Sequence, residues 1–203
     1  FEQFRCHVGL GYQKIVSVYN GLKVTFTLLV PDAGYAVLYL AEAEELAGKE
    51  RDLDLYFALR PRASLTVHTS GSADRDKEFG GLCYPHFSYQ AETDYGCLYF
   101  ASEHGFTSYC VSKGDFCGTY GSWEHPDGVA AQALPSRGTT FEDDYVAAVS
   151  LPLRLGPREQ KSFAFALAAG RSAAESGALA SSLAKTSVFY SQLALQKEKN
   201  ALY

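Results

Sequence analysis

Between Phe4 and Pro31 the chain reads FRCHVGLGYQKIVSVYNGLKVTFTLLVP, and this stretch limits the fold more than any other. Leu22, Val24, Phe26, Leu28 and Val30 alternate with Lys23, Thr25 and Thr27. A period of two puts the first set on one face of a strand and the second on the other, the mark of a half-buried strand. Asn20-Gly21 supplies the positive φ angles of a two-residue hairpin turn. Gly9 and Gly11 bracket an earlier turn that needs backbone freedom. An antiparallel hairpin therefore opens an all-β domain.

Strand signals continue down the chain. Tyr35 to Leu40 is apolar on both faces and predicts a central, covered strand. Leu53, Leu55, Phe57 and Leu59 alternate with Asp52, Asp54, Tyr56 and Arg60, and Pro61 closes that strand. Ser64 to Thr69 reads as a short strand and Gly71 to Lys77 as a polar loop. From Phe79 to Trp123 short aromatic strands are expected at 97–101, 107–111 and 116–120, with Gly105, Gly114 and Gly121 at the turns. Residues 124 to 141 read as a long loop, and long loops in compact domains are often functional. Tyr145, Ala147, Val149, Leu151, Leu153 and Leu155 share one face of a long strand. Gly156-Pro157 turns it toward a partner carrying Phe163, Phe165 and Leu167.

At Gly170 the character changes. Ser172-Ala-Ala-Glu175 is a capping box, and Leu179, Leu183, Tyr190 and Leu193 follow at helical spacing. Lys197 and Lys199 suit the negative end of a helix. Gly177 and Thr186-Ser187-Val188 are weak points at which the helical stretch breaks. The expected organisation is a β domain over 1–170 and a helical segment over 171–203.

The 203 residues are enough for a real core. Aromatic residues make up 14%, mostly Tyr and Phe, which suits strands. A net charge of −5 and a pI near 5.5 give no basic footprint for nucleic acid. No apolar run reaches membrane-spanning length. The five cysteines are odd in number and form no C-x-x-C pair, so free, mostly buried thiols in a reducing cytoplasm are expected. The chain begins with Phe1 and contains no Met, which reads as a piece of a longer protein.

Arg5, His7, Gly9, Leu10, Gly11, Tyr12 and Ile15, followed by Tyr19-Asn20-Gly21 and Pro31, carry a further signal. This pattern resembles the opening R-H-G-L-G-Y-T-x-I…Y-N-G…V-P of the N-terminal domain of glycoside hydrolase family 94, the cellobiose and cellodextrin phosphorylases. Val8 is an extra residue, and Gln13 stands where Thr is usual. "DFCGTYG" with Pro126 resembles the family's F-x-G-x-Y…P segment. "LPLRLGPREQKSFAFALAAG" resembles its closing strands, with Pro-Gly inverted to Gly156-Pro157.

The resemblance implies a mainly β fold, an antiparallel super-β-sandwich of galactose mutarotase-like architecture with C-terminal linker helices. It also implies an (α/α)6 catalytic barrel after those helices. The implied parent cleaves β-glucosides with inorganic phosphate as co-substrate and without a cofactor. Its implied partners are a disaccharide or oligosaccharide, its own barrel and a second copy. The family's acid is an Asp of the barrel, so no catalytic residue is carried over onto this chain. Alternatives are a stand-alone carbohydrate-binding or interaction sandwich, a cyclic β-1,2-glucan synthase-like parent, and a mutarotase-like enzyme. The last needs a His acid and a carboxylate base facing each other, and no spacing here sets that up.

GSWEHPDG, Gly121 to Gly128, holds the candidate sugar contacts: Trp123, the single tryptophan, with Glu124 and His125. Trp stacks on the apolar face of a pyranose, and Glu and His bind hydroxyls. The alternative is that Trp123 fills a gap against the core. Arg5 and His7 are expected to pin the Gly-rich first turn by hydrogen bonds, with Gly9, Gly11 and Tyr12 as structural residues of the motif. Glu142-Asp143-Asp144 is no glycosidase pair, because neighbours on a strand point to opposite faces; a solvated loop end fits it better. Cys83-x-x-His86 with Cys97, His104 and Cys110 lacks the paired spacing of a zinc site, so no metal is expected.

Overall fold

A computed structural model of the chain describes residues 2–32, 34–62, 71–88, 93–139 and 144–201. The Asn-Gly and Gly-rich turns fall where the sequence puts them. Strand β1 (Gln3–Gly9) pairs with β2 (Tyr12–Tyr19), and β2 pairs with β3 (Leu22–Leu29). Asn20 and Gly21 both have positive φ, 49° and 68°. Strand β4 (Ala36–Glu45) continues the meander and is buried on both faces, as expected.

The chain then crosses to a second sheet. Strand β5 (Arg51–Leu59) lies there, whereas β6 (Asp74–Arg75), β7 (Leu82–Ser88) and β8 (Thr93–Ser102) return to the first. Strand β9 (Ser108–Ser112), helices α1 (Lys113–Cys117) and α2 (Asp127–Ala130), and strands β10 (Tyr145–Leu155) and β11 (Gln160–Gly170) follow. The final order is β1-β2-β3-β4-β11-β8-β7-β6 in an eight-stranded sheet and β5-β10-β9 in a three-stranded one, with antiparallel pairing throughout.

Three apolar layers hold this arrangement. Between the sheets lie Tyr39, Phe57, Phe100, Val149, Leu151 and Phe165. On the back of the large sheet, Leu38, Leu40, Ala164 and Ala166 meet helices α3 (Ala173–Leu183) and α4 (Thr186–Asn200). On the outer face of the small sheet, Cys110, Val146 and Ala148 meet Phe116, Cys117 and Leu134. The inward face expected from Tyr145 to Leu155 is the face that lines the inter-sheet core.

Four expectations need correction. Strands β10 and β11 are not partners: Leu155 ends β10 opposite Arg51 of β5, and Gln160 starts β11 opposite Glu44 of β4. Gly156-Pro157 is thus a crossover between sheets, although Phe163 and Phe165 do point inward. Residues 116–120 are not a strand. Ser112 Oγ accepts from the Asp115 N–H and starts α1, which turns Phe116 and Cys117 onto the small sheet. The 71–77 loop contains the short strand β6. Finally, the threonine face of β3 is the better buried one. Thr25 and Thr27 lie on the side over which α4 runs, while Val24 and Phe26 are only half-buried. The expected strand at 64–69 lies outside the described residues.

The capping box forms at α3. Ser172 Oγ accepts from the Glu175 N–H, and the Glu175 carboxylate accepts from the Arg171 N–H. The helical break falls at Ala184 and Lys185, just before Thr186, and Gly177 stays helical. Leu179, Leu183 and Leu193 pack on the large sheet, but Phe189, which the sequence reading passed over, is the fully buried anchor of α4. Tyr190 is half-exposed, and its hydroxyl donates to Glu42. Among the described residues no helix is long and apolar enough to cross a membrane.

Candidate sugar-binding loop

The segment from Gly118 to Gly128 stands on the outer side of the small sheet and is built by close approaches that only glycine permits. Gly118 ends α1 with φ of 80°, and a Cβ there would overlap the Asp127 carboxylate. A Cβ on Gly121 would overlap the Cys117 carbonyl oxygen. The loop therefore folds tightly over the end of α1. Ser122 Oγ accepts from the N–H groups of Glu124 and His125, closing a turn that presents both side chains outward. Asp115, which accepts from the Arg137 guanidinium through both carboxylate oxygens, fixes the base of the loop.

Trp123 fits both of the roles open to it. Its ring leans on buried Phe116, with centroids 5.8 Å apart, yet 44% of the residue is exposed. Tyr120 is 99% exposed beside it in the chain. Thr119, Tyr120, Ser122, His125 and Asp127 line a depression of about 510 Å³. Asp127 and Tyr120 are not singled out by the sequence. Aromatic faces together with carboxylate and hydroxyl acceptors suit a neutral polyol.

Arg5, His7 and Tyr12 stand elsewhere. They line a groove of about 590 Å³ between β1–β3 and α4, with Lys14, Lys23 and Lys197. Arg5 and His7 do not pin the Gly-rich turn. Its Leu10 carbonyl instead accepts from the side-chain amides of Gln196 and Asn200. Gly9 is required because a Cβ would strike the Tyr12 ring, and Gly11 has φ of 76°.

The remaining candidates resolve into structural roles. Asp144, the described member of the acidic run, pairs with Arg60 and Lys113. Burial pushes its carboxyl up, but the two cations outweigh that and hold it below its usual value. Cys83 and His86 sit three residues apart on one strand and so face opposite ways. Buried His86 lies edge-on to Tyr145, and burial lowers its pKa. No group of three metal-binding side chains occurs among the described residues.

Comparison with solved structures returns a protein described as a kojibiose phosphorylase from the human microbiome. The TM-score is 0.53 at 9% identity, over 94% of this chain and 22% of that one. This likeness concerns the fold. A weaker likeness to heparinase III, with a TM-score of 0.39 at 9% identity, covers 85% of this chain and 22% of that one. The chain thus spans about a fifth of the length of either protein. No curated protein matches significantly. Residues 2–186 match the family model described as the glycosyl hydrolase 94 supersandwich domain, and the chain belongs to that family of domains from carbohydrate-active enzymes.

Proposed function

We propose that this domain is the non-catalytic N-terminal sandwich of a cytoplasmic phosphorylase that cleaves β-glucosides with inorganic phosphate. In this reading the acid that protonates the glycosidic oxygen and the phosphate site lie in a following barrel. The sandwich packs on that barrel, contributes to a homodimer and lends the 118–128 loop to the rim of the sugar site. The observation that carries the loop assignment is Trp123: supported from below by Phe116 and open above, it is a fixed platform rather than a core residue. In the same loop Tyr120, His125 and Asp127 line a depression with groups that bind hydroxyls, and Glu124 is exposed next to Trp123 in the chain.

Titration of the chain with cellobiose by calorimetry, alongside acrylamide quenching of its single tryptophan, tests this. Weak binding is expected, with sugar protecting Trp123 from quencher. Trp123→Ala should weaken binding about tenfold, the range of one lost aromatic stacking contact. Unchanged quenching, or full affinity in the variant, overturns the rim assignment. Formation of glucose 1-phosphate by the purified chain overturns its non-catalytic role.

A further inference from the structure

Cys83 of β7 and Cys97 of β8 lie on the same face of adjacent strands. Cys83 is opposite Tyr99 and Cys97 is opposite Pro85, which makes the two cysteines diagonal neighbours. Their sulfurs are 2.9 Å apart, while both residues remain free thiols. Cys97 is buried and Cys83 is only partly so, which leaves the pair reachable from one side. We propose that Cys83 and Cys97 form a redox-modification site, a thiol pair that a hydroperoxide converts reversibly into an intrachain disulfide.

The hydrogen bond between the two sulfurs, which either can donate, favours a thiolate at Cys97 and lowers its pKa against the opposing effect of burial. The hydrogen bond between the sulfurs, with burial, keeps Cys83 protonated. A thiolate is the reactive form. The Cys97 sulfur attacks one peroxide oxygen, the O–O bond breaks, and hydroxide leaves, giving a sulfenic acid. The Cys83 sulfur then attacks that sulfur. The S–S bond forms, the S–O bond breaks, and the Cys83 proton departs with the hydroxyl as water. Two electrons pass from the sulfurs to the peroxide, and a dithiol reductant returns them.

The position gives the change a structural outlet. Cys97 pairs in register with Gly170, the last residue of β11 before the α3 cap. Gly96 beside it abuts the Gly170 carbonyl so closely that a Cβ would overlap it. A bond between the Cys97 and Cys83 sulfurs ties the β7–β8 hairpin at the seat of α3.

The test uses the full chain carrying Cys6→Ser, because Cys6 is exposed and would form bridges between molecules. The reduced protein is treated with stoichiometric hydrogen peroxide, quenched with maleimide and digested for mass spectrometry. A peptide pair joined through Cys83 and Cys97 is expected, two thiols lost and both regained with dithiothreitol. Oxidation should also raise Tm by about 6–12 °C, the effect of closing a loop of this length in a domain of this size. Cys97 appearing as sulfinic acid, a disulfide through any other cysteine, or retention of all four thiols overturns the proposal.

Discussion

Phe57 of the small sheet stacks on Phe165 of the large sheet with ring centroids 4.4 Å apart and planes 18° from parallel. Phe100 stacks on both rings, at 5.4 Å from Phe57 and 5.7 Å from Phe165. Here the two sheets meet ring to ring across three strands. Phe165→Ala should destabilise the fold by about 3–5 kcal/mol, the cost of a large aromatic cavity. Urea unfolding followed by circular dichroism reads this directly. A loss under about 1 kcal/mol would mean that the core is not organised around this stack.

Glu45 contributes to the pH dependence of stability. It is fully buried where β4 crosses to β5, and accepts from the N–H groups of Ala47, Gly48 and Lys49 and from Arg51. Burial pushes its carboxyl up, but the backbone donors outweigh that and bring it down to about 2, from 4.5. A carboxylate with a depressed folded pKa stabilises above its unfolded value, and that stability is lost as pH falls through the folded value. The contribution of Glu45 should therefore be complete above pH 4.5 and disappear toward pH 2. Glu45→Gln should lower the urea midpoint at pH 7 and flatten its dependence on pH across that window. An unchanged pH profile would remove Glu45 from the account.

Gly118→Ala probes the loop without replacing any of its aromatic or charged residues. The residue has φ of 80°, and its new methyl would overlap Asp127. A loss of about 1–3 kcal/mol is expected from backbone strain alone. Trp123 should become more accessible to acrylamide as the loop lifts from Phe116. Wild-type stability and quenching together would show that Asp127 yields without cost.

Phe189→Ala should release α4. Truncating this fully buried ring costs about 3–5 kcal/mol, and leaves the helix start held by the Glu103 carboxylate, which accepts from the Thr186 N–H and hydroxyl. Hydrogen exchange is the appropriate measurement. Amides of α4 and of β1–β2 should lose protection together while those of β10 keep theirs. Loss confined to α4 would disprove the dependence of the first hairpin on the helix.

The local part of this fold was legible and the sheet assignment was not. Periodicity, the Asn20-Gly21 turn and the Ser172 capping box report interactions within a few residues, and each stands where the sequence puts it. Whether Gly156-Pro157 closes a hairpin or crosses between sheets depends on Arg51 and Glu44, partners more than a hundred residues away. Thr25 and Thr27 looked solvent-facing because nothing near them announces a helix overhead. Segment 116–120 misled for a different reason. Its aromatic content suits a strand, but one Ser112 hydroxyl bond and a left-handed glycine decide for a turn of helix. In the candidate loop Trp123, Glu124 and His125 were visible as residue types, whereas Asp127 joins Tyr120 and His125 only through the tight fold over α1.

The bonds from Gln196 and Asn200 to the Leu10 carbonyl join positions 186 and 190 residues apart. Contacts of such long range form late in folding, after the chain between them has closed. The first hairpin, despite its strong local signals, therefore has to wait for the last helix before its outer turn is secured. During synthesis β1 emerges well before α4, so that turn lacks its clasp until α4 has followed. Deleting α4 should accordingly loosen the turn between β1 and β2, and an insertion that displaces α4 should be felt there.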